Sequence, residues 1–230
     1  MTDVLFLTQL TGLLAVIGVT LYAASDVFLL ASKVNLAQYP NLQPHIKLLS
    51  GTEKMVTLSE RRRVWGGLLG VLATPLVVVG LWPLYYGLAP AGGWAVWPTV
   101  GLFGIGIVLA PFVHGTFIYT AEYVHALNRL APESQKVVVE MFNRQKKILM
   151  ASYAPVLISL LIGSIWFSVA VALGGTQFPT WMAVVNPITA LLAWFGLRRI
   201  VPTLGEWFEG AGFNIALFAF FAFITITLWK

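Results

Sequence analysis

The sequence predicts an all-α fold: a polytopic membrane bundle of six transmembrane helices with both termini outside and a short amphipathic helix on the cytoplasmic side. Three observations lead there. Of 230 residues, 58% are hydrophobic and only 10% charged, with a mean hydropathy of +0.83. A soluble domain carries roughly 45–50% apolar and about 25% charged residues, so a water-exposed fold has no core large enough for this chain. Charge-free apolar runs recur along it, and the basic residues fall between alternate runs.

A spanning helix needs about 20 mostly apolar residues. Val4–Ser32, Trp65–Leu88, Trp97–Leu127, Ile148–Leu173, Trp181–Leu197 and Gly210–Trp229 meet that requirement, making residues 1–230 a single transmembrane domain. The fifth run is the shortest, and its Asn186-Pro187 pair marks a tilted or partly unwound segment. Although Ala23-Ala24-Ser25 resembles a signal cleavage site, Met1-Thr2-Asp3 has no basic region before it and Val27–Ala31 continues the apolar run. The expectation is an uncleaved first helix.

Orientation follows from the bases. The first loop holds Lys33, Lys47, Lys54, Arg61, Arg62 and Arg63; the third holds Arg129, Lys136, Arg144, Lys146 and Lys147; the fifth holds Arg198 and Arg199. Of the 14 Lys and Arg, only Lys230 lies elsewhere. The positive-inside rule assigns the odd-numbered loops to the cytoplasm, and hence a multi-pass protein of the plasma (inner) membrane. The same juxtamembrane bases account for the net charge of +5 through anionic lipid headgroups, at about 1 kcal/mol each, so no nucleic-acid partner is expected. Trp65, Trp94, Trp97, Trp181, Trp207 and Trp229 fall at span ends, where an indole favours the headgroup layer, while Trp82, Trp166 and Trp194 lie deeper and read as packing or lipid contacts.

In the third loop, Pro132 and Glu133 signal a helix start, and Val137, Val138, Met141 and Phe142 follow at helical spacing. This is either an amphipathic helix on the inner leaflet or an extension of the fourth span. The first loop, with Pro40 and Pro44, is placed to cover the cytoplasmic mouth of the bundle, and Ser59 to cap the second span. Gly66 and Gly70, spaced four apart, permit close helix approach, as do Ser164 and Ser168. Prolines 75, 83, 111, 155 and 187 predict kinks, and kinked bundles leave internal cavities.

Ionisable groups inside a span cost about 2.5–3.5 kcal/mol each on insertion scales and are functional candidates for that reason. Asp26 in the first span and His114, Glu122 and His125 in the third qualify. Counting 1.5 Å per residue from Trp97 and from Lys33 puts His114 and Asp26 at similar depths in the inner half, roughly 10 Å in for Asp26. The spacing of positions 114, 122 and 125 sets them on one broad helical face. Tyr22, one turn from Asp26, and Tyr153 and Asn214, at comparable heights, complete a polar set on the cytoplasmic side. Asp26 and His114 are the candidate acid–base pair; Glu122, His125, Asn214, Tyr22 and Tyr153 are the candidate ligand-binding residues. The bland alternative is a buried pair fixing helix register beside interfacial groups that face water.

No nucleophile elbow, phosphate loop or zinc motif accompanies these residues, and the absence of Cys removes thiolate metal sites, disulfides and thiol nucleophiles. No metal site is assigned, since Asp26, His114 and Glu122 would have to converge. The residues name no cofactor, and a single haem cannot take both His114 and His125 from one helix.

With these residues in view, the chain resembles an uncharacterised family of small polytopic bacterial membrane proteins, a domain of unknown function. The resemblance rests on Leu21-Tyr-Ala-Ala-Ser-Asp26, on Leu58-Ser-Glu-Arg-Arg-Arg-Val-Trp-Gly-Gly-Leu-Leu-Gly70, on His114-Gly-Thr-Phe117 and on Gly210-Ala-Gly-Phe-Asn214. It implies a shared helical bundle, and strengthens Asp26, His114 and Asn214 as a polar site. No activity comes with it. The leading expectation is a polar, cytoplasm-facing intramembrane cavity that binds or processes an amphipathic or lipid-like small molecule, leaving open whether the protein is an enzyme. A proton-coupled small-molecule transporter and a structural or accessory subunit of a membrane complex are the alternatives. Membrane lipids are the expected partners, together with a second copy or a larger complex.

Overall fold

The computed structural model describes residues 2–229, which form helices joined by turns, with no strand among them. The α-helices are α1 (Thr2–Leu30), α2 (Ile46–Leu49), α3 (Glu60–Val78), α4 (Leu81–Leu88), α5 (Gly93–Arg129), α6 (Pro132–Ala172), α7 (Pro187–Ile200), α8 (Pro202–Trp207) and α9 (Gly212–Thr227). Four segments are long and apolar enough to cross a membrane: Asp3–Leu30, Glu60–Ala91, Gly93–Arg129 and Pro132–Ala172. The last two expected spans are shorter. At 14 and 16 residues, α7 and α9 rise about 21 and 24 Å, less than the roughly 30 Å of a hydrocarbon core. Lys230 falls outside the described residues.

One expected element is corrected and another refined. The third-loop segment is not a separate short amphipathic helix but the extension of the fourth span, the other of its two readings, because residues 132–172 form one continuous helix of 41 residues. Pro132 sits in the first turn, where its missing N–H costs nothing, and good helix formers such as Gln135, Lys136, Glu140, Met141 and Gln145 carry the helix on without a breaker. Its apolar residues Val138 and Phe142 pack with Val124 and Leu127 of α5 and with Leu42, while Val137 and Met141 stay exposed. The second expected span, in turn, is broken near Gly80. Pro83 has no N–H for the Val79 carbonyl, which accepts from Trp82 instead at 3.1 Å, and the chain bends between α3 and α4. A methyl group at Gly80 would collide with Ala15 and Phe221, so the bend also lets α1 and α9 approach.

The long helices pack in the order α6, α5, α3, α1, α9, α7, and neighbours in that order run antiparallel. The ring closes at one end only. There α6 meets the turn Thr180–Val184, while elsewhere α6 and α9 scarcely touch. At the closed end a plug of phenylalanines fills the interior: Phe103 stacks on Phe220 with centroids 5.0 Å apart, and Phe167 meets Phe220 edge-on at 5.1 Å and Phe178 at 5.5 Å. Asn186 links this end by donating to Ser168 Oγ at 3.0 Å and by capping α7 with Thr189.

The opposite, basic end is tied by side chains onto orphan helix carbonyls. Arg62 donates to the Phe28, Val27 and Ala31 carbonyls at 2.7, 3.4 and 3.1 Å, closing the C-terminus of α1 with a cation where the helix dipole favours one. Gln135 does the same for α5 through Leu127 and Leu130, and Ser59 caps α3 at Arg62 N. The segment 31–59 folds over the ends of α5 and α6, held by Asn41 on Asn128, by His45 on Gln135 at 2.8 Å and by Lys146 on Leu48.

Candidate functional site

The site is assembled where α1, α3, α5 and α9 meet, and small residues make the approach possible. The Ser25 hydroxyl donates to the Gly66 carbonyl across the α1–α3 contact, and Leu29 occupies the space a Cβ at Gly66 would need. One turn on, Gly70 leaves room for the His114 ring, which any larger residue would strike. The glycine pair expected only to bring helices together therefore also seats a functional side chain.

Around that seat the polar groups converge. His114 Nδ1 lies 3.7 Å from Asp26 Oδ1 and 3.4 Å from Ser25 Oγ. Asn214, in the first turn of α9, donates to Asp26 Oδ2 at 2.6 Å. The Tyr22 ring stacks on the imidazole with centroids 4.7 Å apart, and its hydroxyl donates to Thr74 Oγ1 at 2.7 Å, since Thr74 itself donates to the Gly70 carbonyl. Asp26, His114 and Asn214 are 8%, 6% and 6% exposed, so all three are buried polar groups. A separation of 3.7 Å is too long for a direct hydrogen bond. Asp26 Oδ1 accepts none from the described residues, which leaves the carboxylate with spare capacity beside a histidine.

These groups form one wall of a cavity of about 310 Å³ in the basic half of the bundle. Gly106, Ile107, Ala110, Val113 and Phe117 of α5 supply its floor, Met150, Tyr153, Val156 and Leu160 of α6 its far side, and Gly210, Phe213 and Leu217 its rim. The cavity occupies the gap between α6 and α9 that the incomplete ring leaves open, and the phenylalanine plug lies beyond it. The arrangement combines an apolar enclosure with a few convergent polar groups, the usual make-up of a small-molecule site. Chemically, a carboxylate next to an imidazole can accept, hold and return a proton.

Of the expected ligand-binding residues, Asn214, Tyr22 and Tyr153 line this cavity together with Asp26 and His114. Glu122 and His125 do not. Eight residues beyond His114 means about 12 Å along the helix, and both belong to a second cluster at the basic end. There Arg63 donates from Nε to Glu122 Oε1 at 2.8 Å and from Nη1 to the Leu58 carbonyl at 3.0 Å. His125 Nε2 lies 3.1 Å from Arg63 Nη1 and 3.0 Å from the Met55 carbonyl. Among the described residues no three of His, Asp and Glu converge as a metal site would require. The segment 31–59, expected over the mouth, contributes no residue to the cavity lining.

Other residues around the site and the second cluster had no individual signal in the sequence. Thr74, Phe117, Met150 and Phe213 read as ordinary span residues, and Arg63 read as one of three topology-setting bases. Only the helix order places them.

The sequence matches the family of unknown function DUF6796 over residues 3–230, and the chain belongs to that family. Neither a curated protein nor a solved structure matches it.

Proposed function

We propose that this family member is a multi-pass protein of the plasma membrane whose intramembrane cavity binds an amphipathic or lipid-like small molecule, with Asp26, His114 and Asn214 meeting its polar part. In this reading α7 and α9 complete six crossings, the basic end faces the cytoplasm and both chain ends face the other side. One observation carries it: three buried polar side chains share a wall of an otherwise apolar cavity that is open between helices. A pair serving only to fix helix register would be packed shut, because an unfilled hydrogen-bonding capacity in a dry core is costly. Substrate turnover, where it occurs, would use Asp26 and His114 as acid–base partners, with Asn214 holding the carboxylate in place.

The phenylalanine plug favours binding from one leaflet over transport, since a transporter needs polar groups continuing towards the far side. Native mass spectrometry of the protein released from nanodiscs of native lipid tests the reading. A bound amphiphile is expected with the wild type and not with Ala110→Trp, which fills the cavity from the α5 wall. Equal retention by both proteins would refute it.

A further inference from the structure

Resting on the cavity-binding reading, we infer that the ligand is a single-chain amphiphile with a cationic amine or ammonium head, and that its alkyl tail lies along α6. The head assignment comes from charge. Among the described residues, Asp26 is the acidic side chain on the cavity wall, and no Lys or Arg lines it. A phosphate or sulfate head would be desolvated against a carboxylate with no cation in reach, a heavy penalty in a low-dielectric interior. An ammonium head reverses the sign, because it is opposite in charge to the carboxylate on the wall and can donate to the unused Asp26 Oδ1.

The rest of the wall suits the same chemistry. Tyr22, Phe117, Tyr153 and Phe213 line the cavity as well, and aromatic rings attract alkylammonium groups through their quadrupoles. Asn214 already occupies Asp26 Oδ2, so Oδ1 is the carboxylate oxygen left for a head group.

The tail assignment comes from a second, apolar groove of about 240 Å³ between α6, α7 and α9, lined by Leu157, Leu161, Pro187, Ile188 and Leu191 among others. Leu160 and Phe213 line both spaces, so the groove adjoins the cavity. From Leu149 to Ser164 the combined lining on α6 covers about 22 Å of helix, enough for a long alkyl chain. Such a molecule would enter sideways from the lipid through the gap between α6 and α9, its head drawn to Asp26 and its tail still in apolar surroundings.

Photolabelling in nanodiscs of zwitterionic lipid tests the head and the tail separately. Three probes carry the same dodecyl chain with a terminal diazirine and differ only in the head: trimethylammonium, sulfate, or a neutral glycerol ether. The expected result is saturable labelling by the ammonium probe on peptides containing Leu157–Leu161 or Ile188–Leu191, at least tenfold above the sulfate probe. Asp26→Asn should lower the ratio of ammonium-probe to sulfate-probe labelling by about tenfold. Leu161→Trp, which obstructs the groove without touching the head site, should lower labelling by all probes and retain the wild-type melting temperature. Equal labelling by ammonium and sulfate probes, or an ammonium preference that survives Asp26→Asn, overturns the cationic-head assignment but leaves the cavity-binding reading standing. An absence of saturable labelling by every probe overturns both.

Discussion

Two clusters of ionisable side chains lie on the same face of α5, about 12 Å apart along the helix, and they are built on opposite principles. At the basic end, Arg63 is well partnered: a carboxylate, an imidazole and a carbonyl lie against its Nε and Nη1, and segment 52–58 is thereby fastened to α3 and α5. Inside the bundle, Asp26 has one firm partner in Asn214, a histidine held just beyond bonding distance, and open space in front. A satisfied network stabilises and locks; an unsatisfied one beside a cavity is available to a ligand. Charge within a span does not by itself mark function. Spare bonding capacity does.

The contrast predicts that damage to the first cluster unfolds the protein and damage to the second silences it. The largest effect on stability is expected from Arg63→Met, which leaves the Leu58 carbonyl, Glu122 and His125 without their shared donor. A loss of about 3 kcal/mol is the expected scale when a buried charged donor is taken from the Leu58 carbonyl and its other partners. Thermal unfolding in detergent measures it, and the fraction still folded should bind amphiphile with unchanged affinity.

Gly70→Ala comes next, because it bridges the two behaviours. Its methyl group would strike the His114 ring, at a cost of about 1–3 kcal/mol for overpacking. Since the ring must also shift away from Asp26, binding should fall as well, detectable as lost probe labelling in protein that remains helical by circular dichroism.

Asp26→Asn is expected to sharpen the comparison from the other side. The amide keeps the size of the carboxylate, and its oxygen can still accept from Asn214, so the unfolding free energy should move by no more than about 1 kcal/mol. Binding of the ammonium probe should nonetheless fall by about tenfold. The smallest effect belongs to Glu122→Gln. Its side chain is 49% exposed, and the Gln oxygen can still accept from Arg63 Nε, so stability should fall by about 1 kcal/mol or less and binding should not change.

How much of this was legible in the sequence can be judged from the same residues. Depth counting from Trp97 and Lys33 brought Asp26 and His114 to one level, and they stand 3.7 Å apart. Composition and apolar runs likewise indicated the helical bundle. The grouping of Glu122 and His125 with them failed because shared helical phase says nothing about distance along the axis or about what the neighbouring helix offers. That neighbour was hidden in Arg61-Arg62-Arg63. Successive helical residues point about 100° apart, so Arg61 is exposed, Arg62 reaches the end of α1 and Arg63 turns into the protein. A run of like residues serving topology thus contains two with separate structural duties. The third-loop helix was ambiguous because its apolar stripe suits a lipid surface and a protein surface equally well. Its partners include Leu42, which lies far away in sequence. The groove along α6 was illegible for a similar reason, since it arises from α6 and α9 failing to meet.

The central claim is that the polar wall at Asp26, His114 and Asn214 receives a ligand and that the Arg63 cluster does not. Its most direct test is saturable binding of dodecyltrimethylammonium to nanodisc-embedded protein, compared between wild type, Glu122→Gln and Ala110→Trp at matched melting temperatures. The account predicts equal affinity for the first two and at least a tenfold loss for Ala110→Trp. Undiminished binding by Ala110→Trp, or a loss confined to Glu122→Gln, would contradict it.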